Sequence, residues 1–136
     1  MHAKFFCDTN VILEMLGSEA HKREVALALF DKGPVLSTQV LSECSNVCLR
    51  KFKFSSSFIK NFLMELTIGT HLVPVDMEAI QKAVDINTRY HFSFYDCLII
   101  AAAILSGCDT LYSEDMHHGQ VIEGVKITNP FLGEKL

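Results

Sequence analysis

The 136-residue sequence has no tryptophan, only three prolines and fewer basic than acidic residues. Its 12 lysines and arginines against 16 aspartates and glutamates give a net charge of −4. The protein therefore has no general electrostatic attraction for nucleic acid or for acidic membranes. This argues against a passive nucleic-acid-binding protein. It argues less against an enzyme whose acids hold metal ions, because bound cations reverse the local field.

Long hydrophobic runs and paired cysteine motifs are also missing. The longest apolar run, Cys97 to Leu105, is about half of what a membrane span requires, and the first residues do not resemble a secretory signal. The five cysteines are an odd number and lack zinc-type spacing. We expect a soluble, cytoplasmic protein with small buried thiols in a reducing compartment.

What the sequence does contain is a globular composition, 49% hydrophobic and 21% charged, with strand-like and helix-like patterns in alternation. The length predicts a single domain over residues 1–136. Short apolar runs predict strands near residues 4–7, 35–36, 71–75, 110–113 and 125–127. Apolar residues at helical spacing predict helices between them, and Pro74 places the third strand at a sheet edge or a strand end. This alternation predicts an α/β fold with a central, mostly parallel sheet covered by helices on both faces.

Four acidic residues occur in related positions along this pattern. Asp8 directly follows the first strand, and Asp115 follows the strand at 110–113. Asp96 is the only charge on an otherwise apolar helix, and Glu43 lies at the margin of the apolar stripe of its own helix. Since parallel strands bring their carboxyl ends to one edge of a sheet, these acids are expected to lie near each other.

Each acid also has a purely structural interpretation. Asp8 or Asn10 is suited to cap the helix that follows, and Ser93 with Asp96 forms a capping box. Glu43 is suited to a solvated helix edge. If the four acids do cluster, their pKa values should be raised, and their hard oxygen ligands suit Mg²⁺ or Mn²⁺.

The segments that carry these acids resemble the four sequence blocks of PIN-domain nucleases, and in particular the VapC-type ribonuclease toxins of toxin–antitoxin modules. The blocks are Phe6-Cys7-Asp8-Thr9-Asn10-Val11-Ile12, Leu41-Ser42-Glu43, Ser93-Phe94-Tyr95-Asp96-Cys97-Leu98-Ile99-Ile100-Ala101-Ala102-Ala103 and Leu111-Tyr112-Ser113-Glu114-Asp115. The resemblance covers essentially the whole chain. It implies a three-layer α/β/α PIN-like domain.

The resemblance assigns Asp8, Glu43, Asp96 and Asp115 as Mg²⁺ or Mn²⁺ ligands, with Asn10 and Ser113 as supporting polar residues. Many relatives carry a further acid where this sequence has His118, which leaves open whether one or two metals bind. The resemblance also implies a cognate antitoxin whose tail covers the active cleft, and a toxin homodimer.

From these observations we predict a metal-dependent endoribonuclease that hydrolyses RNA, such as tRNA or rRNA, with metal-activated water. Four basic residues are candidates for holding the RNA backbone: Arg50, Lys51, Lys53 and Arg89. Arg50, Lys51 and Lys53 are equally suited to complement the dipole of the helix that they end. Two alternatives stay open, a non-catalytic PIN-like binding module and a phosphatase with Asp8 as its nucleophile.

Overall fold

The alternation of strands and helices continues through residues 4–133, the part of the chain that the computed structural model describes. In chain order these residues form β1 (Phe5–Cys7), α1 (Thr9–Glu14), α2 (Ala20–Asp31), β2 (Val35–Ser37), α3 (Thr38–Arg50), α4 (Ser56–Thr67), β3 (His71–Val73), α5 (Met77–Arg89), α6 (Phe94–Leu105), β4 (Thr110–Tyr112), β5 (Val121–Ile122) and β6 (Val125–Thr128).

The six strands form one sheet in the order β3-β2-β1-β4-β6-β5. Every pairing is parallel except that of β5 with β6. In the centre, Phe6 is in register with Val35 on one side and with Leu111 on the other. β3 is an edge strand and ends at Val73, directly before Pro74, so both positions that Pro74 left open apply.

β5 was not predicted from the sequence. It has only two residues, and it pairs with β6 across the two-residue turn Glu123-Gly124. Both turn residues have positive φ, 47° and 85°, which is the backbone of a type I′ hairpin turn.

The helices cover both faces of the sheet, which confirms the predicted three-layer α/β/α fold. Right-handed crossovers from β1 to β2 and from β2 to β3 place α1 to α4 on one face. The return from β3 to β4 places α5 and α6 on the other face. On α6, residues 97–103 are all buried, as the apolar character of this helix predicts.

The cysteines belong to the hydrophobic core rather than to a disulfide or a metal knuckle. All five are free and buried, as expected. Burial raises the pKa of the Cys44 thiol to about 12 and also raises that of Cys7, so these thiols stay protonated and unreactive. Within residues 4–133, none of the helices has the length and apolar character needed to cross a bilayer.

Candidate functional site

Asp8 lies at the carboxyl end of the central strand β1, between β1 and the first turn of α1. Its backbone N–H donates to the carbonyl of Tyr112 on β4, at 2.9 Å, which fixes the residue against the neighbouring strand. Its side chain caps α1, because Oδ1 accepts from the Thr9 backbone N–H at 2.7 Å. The capping interpretation is therefore correct, but it uses only one of the two carboxylate oxygens.

The second oxygen of Asp8 points toward β4. Oδ2 accepts from the Ser113 hydroxyl at 2.8 Å and from the Asn10 side-chain amide at 3.2 Å. Only 5% of Asp8 is exposed. Burial raises the pKa of Asp8 from 3.8 to about 6, while the hydrogen bonds from Ser113 and Thr9 oppose this rise. The hydrogen bonds thus stabilise the charged form of Asp8, and desolvation destabilises it.

Asn10 connects Asp8 with Asp115. Its amide nitrogen lies 3.1 Å from Asp115 Oδ2, and its Oδ1 accepts from the Glu114 backbone N–H at 3.0 Å. The amide therefore stands between two carboxylates and holds the segment after β4 against the start of α1.

The Ser113 hydroxyl also holds the segment after β4 in place. The side chain is fully buried, and its oxygen accepts from the backbone N–H groups of Asp115 and Met116, both at 3.3 Å. Because this hydroxyl also donates to Asp8, it ties the loop that carries one acid to the side chain of another.

Glu43 reaches the same region from the middle of α3. Its Oε1 accepts from the Thr9 hydroxyl at 2.9 Å, which links α3 to the start of α1. The sequence placed Glu43 at the margin of an apolar stripe, either solvated or pointing into a cleft. The structure places it on the cleft side, half-buried.

Asp96 lies in the first turn of α6. The Ser93 hydroxyl accepts from the Asp96 backbone N–H at 3.2 Å, so Ser93 caps this helix as predicted. Burial and the charge of Asp115 raise the pKa of Asp96, while a hydrogen bond with Ser93 opposes the rise.

The four acids line a single cleft of about 430 Å³ at the carboxyl edge of the sheet. The cleft is lined by Asp8, Thr9, Asn10, Leu13, Glu43, Asn46, Val47, Asp96, Ile99 and Asp115. The charges of Asp96 and Glu43 both raise the pKa of Asp8, and the charge of Asp115 raises that of Asp96. The four carboxylates are therefore connected electrostatically. Among the described residues that line this cleft, none is a lysine or an arginine.

This donor set suits a hard divalent cation. The lining supplies carboxylate and amide oxygens, and the mutual repulsion of the acids is what a bound cation relieves. Within residues 4–133, however, no three Asp, Glu, His or Cys side chains are close enough together to form a ready metal-binding group. Mg²⁺ usually keeps several of its waters and binds proteins through one or two carboxylates, so the cleft fits a partly hydrated ion better than a closed cage.

The predicted basic residues lie outside this cleft. Arg50, Lys51 and Lys53 are exposed at the end of α3 and just beyond it. Arg89 is exposed at the end of α5, where it lines a separate depression with Lys82, Asp85, Thr88 and Glu123.

The paired histidines are also outside the cleft. His117 and His118 are exposed, and His118 Nδ1 accepts from the Asn129 backbone N–H at 2.9 Å. His118 therefore fixes the chain after β6.

Three features of the site were not predicted from the sequence. The hydrogen bond from Thr9 to Glu43 joins residues 34 positions apart, and Asn46 lines the cleft one turn beyond Glu43. An i, i+3 relation to Glu43 on a helix was the available signal for Asn46. A third feature, the ion pair of Lys22 with Glu114, fastens the loop before Asp115 to α2 and had no sequence signal.

A larger cavity, of about 760 Å³, lies between α4 and the first two helices. Its lining is mostly apolar, and among its described residues only Asp31 and Glu65 carry charge. Volume alone does not define a reactive site. The smaller cleft has the convergent polar groups and the perturbed pKa values that a reactive site needs.

The chain matches a known family over most of its length. The sequence model of the PIN domain family matches residues 5–122, so the chain belongs to the PIN domain family. This confirms the resemblance found in the four sequence blocks. None of the curated proteins matches the sequence significantly.

Solved structures with this fold include VapC toxins and toxin–antitoxin complexes. A VapC toxin of Mycobacterium tuberculosis that cleaves the sarcin–ricin loop superposes with a TM-score of 0.67 at 17% identity, covering 82% of this chain and 90% of that one. A toxin–antitoxin complex from Klebsiella pneumoniae gives 0.71 at 18% identity, covering 94% and 98%. DNA-bound VapBC from Salmonella typhimurium gives 0.70 at 18% identity, covering 95% and 99%. At these identities the likeness establishes the fold.

Proposed function

We propose that the protein is a Mg²⁺- or Mn²⁺-dependent endoribonuclease that hydrolyses phosphodiester bonds of RNA such as tRNA or rRNA. The observation that carries the proposal is the single cleft lined by Asp8, Glu43, Asp96 and Asp115, in which a buried carboxylate has its pKa raised to about 6. The similar VapC toxin that cleaves the sarcin–ricin loop supports RNA as the substrate.

In this proposal Asp8, Asp96 and Asp115 would hold the cation, with Glu43 contributing directly or through water. Asn10 and Ser113 would position these acids. A bound cation supplies positive charge for the scissile phosphate and lowers the pKa of a water molecule. Asp8 is held rigidly by its three hydrogen-bond donors, and Asn10 keeps Asp8 and Asp115 on either side of one amide. Glu43 is oriented by Thr9 and Asp96 by the start of α6.

Asn10 separates this mechanism from the phosphatase alternative. Phosphatases with an aspartate nucleophile usually carry a second aspartate two positions on, where this chain has Asn10. The Asn10 amide donates to Asp8 and does not supply a second carboxylate.

The same comparisons support an antitoxin as a partner. We propose a cognate antitoxin whose tail covers the cleft, because similar structures are toxin–antitoxin complexes. We further propose that the toxin is a cytoplasmic homodimer. Light scattering coupled to gel filtration tests the dimer, and a purely monomeric mass at high protein concentration contradicts it.

The test of the enzymatic proposal is an RNA cleavage assay with purified protein in Mn²⁺, in Mg²⁺ and in EDTA. We expect cleavage with either cation and none in EDTA. Asp8→Asn should lower the rate at least about a hundredfold, since cation binding contributes several kcal/mol to the barrier reduction. RNA ends mapped after brief expression identify the cut.

Asp85→Asn is the matched control. Asp85 is an exposed aspartate on α5, outside the cleft, so its change should leave the rate within about twofold. Cleavage by Asp8→Asn at the normal rate removes Asp8 from the mechanism. Cleavage that persists in EDTA contradicts the metal dependence, and RNA binding without cleavage supports the non-catalytic module.

A further inference from the structure

The segment between the cleft residue Glu43 and Glu65 has a charge opposite to that of the whole protein. Residues 44–64 contain no acid and four of the 12 basic residues, in a chain of net charge −4. Three of them, Arg50, Lys51 and Lys53, lie within four positions at the corner between α3 and α4. We refer to residues 50–58 as the α3–α4 corner. Its charge is complementary to a polyanion.

The α3–α4 corner also carries a row of neighbouring aromatic rings. The ring centroids of Phe52 and Phe54 are 5.5 Å apart, and those of Phe54 and Phe58 are 4.8 Å apart. Phe62 continues the row, nearly parallel to Phe58. Phe52 is 39% exposed and Phe58 is 43% exposed, so both side chains are accessible to solvent. Phe58 and Phe62 also line the apolar cavity of about 760 Å³ between α4 and the first two helices. The Lys51 ammonium lies 6.0 Å from the Phe52 ring centre.

The backbone at this corner is held in an unusual conformation. Lys53 has φ 55°, in the left-handed region where glycine or asparagine is normally found after a helix. The turn is closed by a hydrogen bond from the Phe54 backbone N–H to the Cys48 carbonyl, at 3.0 Å. Lys53, between Phe52 and Phe54, thus occupies a backbone conformation in which glycine would be less strained.

One face of α3 connects the corner with the acidic cleft. Glu43, Asn46 and Val47 line the cleft, and Arg50 follows on the same face of the helix. Seven residues separate Glu43 from Arg50, which is about 10 Å along a helix axis. A polymer that leaves the cleft along this face reaches Arg50, where the α3–α4 corner begins.

We propose that the α3–α4 corner binds single-stranded RNA, with unpaired bases stacked on Phe52 and Phe58 and backbone phosphates held by Arg50, Lys51 and Lys53. This inference rests on the proposed ribonuclease function. It adds that the enzyme recognises an unpaired segment next to the bond that it cuts. Aromatic rings beside basic side chains are how proteins bind single strands without reading their sequence.

The first test measures binding of a labelled single-stranded RNA to full-length protein carrying Asp8→Asn, which prevents cleavage. Phe52→Leu and Phe58→Leu keep an apolar side chain but remove the ring, and Phe52→Tyr and Phe58→Tyr keep the ring. Each leucine variant should raise the Kd at least about fivefold, while each tyrosine variant should stay within about twofold.

The same variants distinguish stacking from other modes of binding. Binding of a duplex RNA should change less than twofold in all of them, because paired bases cannot stack on the rings. Equal affinity of both leucine variants and the parent for single-stranded RNA, with unchanged melting temperatures, overturns the proposal. The proposal is also overturned if the leucine and tyrosine variants weaken the binding of single-stranded RNA equally. That result would indicate a packed apolar contact in place of base stacking.

A second test uses the salt dependence of binding, with Lys60→Gln as a matched control. Lys60 is exposed on α4 but lies two residues from Phe58, on the opposite side of the helix. Lys51→Gln and Lys53→Gln should each reduce the slope of log K against log salt by about 0.7, and Lys60→Gln should not. Equal slopes in all three variants would contradict the proposed contacts of Lys51 and Lys53 with RNA phosphates.

The binding assay fails separately from the proposed function. If the native protein cleaves no RNA in Mn²⁺ but the leucine variants lose single-strand binding, the nuclease proposal is wrong and the proposal of RNA binding at the α3–α4 corner is supported. If the native protein cleaves RNA and the leucine variants bind normally, the proposal of RNA binding at the corner is wrong and the nuclease proposal is supported.

Discussion

The two halves of the acidic cleft are built differently. The half at the ends of β1 and β4 is a network in which Asp8, Asn10, Ser113 and Asp115 are joined directly by side-chain hydrogen bonds. The half on α3 and α6 has Glu43 held by one hydrogen bond from Thr9, and Asp96 at the start of its helix. The strand half is thus fixed by the fold, and the helix half is oriented more loosely.

This difference indicates how the cleft tolerates four acids. The donors on the strand half partly offset the desolvation of Asp8, whose pKa is still raised. On the helix half, Asp96 is half-buried, and burial together with Asp115 raises its pKa as well. A cation that binds between the halves would relieve the repulsion and draw the looser acids toward the fixed ones.

The largest effect is expected from the buried carboxylate of the strand half. In the fold, the pKa of Asp8 lies at about 6, above its ordinary value of 3.8. The charged form is therefore less favourable in the folded state than in the unfolded chain, so the stability present below pH 3.8 is lost as pH rises through 6. The loss amounts to about 3 kcal/mol, at 1.36 kcal/mol for each pKa unit.

Urea unfolding in EDTA between pH 4 and pH 8 measures this effect. The free energy of unfolding of Asp8→Asn, measured relative to the native protein, should rise by about 2.5 kcal/mol over that range, since part of the loss is already present at pH 4. Asp85→Asn should follow the native protein at each pH. Parallel pH profiles for Asp8→Asn and the native protein would show that Asp8 is not destabilised by burial.

The second prediction concerns the hydroxyl that joins the two acids of the strand half. Ser113→Ala removes the donor to Asp8 and leaves the buried backbone N–H of Met116 without its acceptor. We expect the free energy of unfolding to fall by about 2 kcal/mol at pH 7, and the pKa of Asp8 to rise further. Denaturant titration measures the first change, and the pH profile just described measures the second.

Ser45→Ala is a suitable control for Ser113→Ala. The Ser45 hydroxyl donates only to the Leu41 carbonyl of its own helix, so its loss should change stability by less than about 0.5 kcal/mol. If Ser113→Ala is no more destabilising than Ser45→Ala, the strand half does not depend on this hydroxyl.

The difference between the halves also explains what the sequence could predict. Asp8 and Asp115 each follow a strand, and parallel strands bring their carboxyl ends to one edge, so their proximity follows from chain order. The fold class, the edge position of β3 and the buried helix α6 follow from equally local patterns.

The helix half depends on packing that no local pattern encodes. The rotation of α3 about its axis, relative to α1, decides whether Glu43 faces the cleft or the solvent. The hydrogen bond from Thr9 to Glu43 shows that it faces the cleft. The ion pair of Lys22 with Glu114 joins residues 92 positions apart for the same reason. β5 was missed because two residues are too few to show an alternating pattern.

The smallest effect is expected on the helix half. Thr9→Val keeps the shape of the side chain at the start of α1 but removes the hydroxyl that donates to Glu43 at 2.9 Å. Because both residues are only partly buried, the free energy of unfolding should fall by about 0.5–1 kcal/mol.

The rate of cleavage at saturating Mn²⁺ should change little in Thr9→Val, while the Mn²⁺ concentration needed for half-maximal rate should rise. Thr110→Val, whose hydroxyl donates only to its neighbour Asp109, is the matched control and should not shift that concentration. A loss of stability as large as that of Ser113→Ala would show that the helix half is as rigidly built as the strand half.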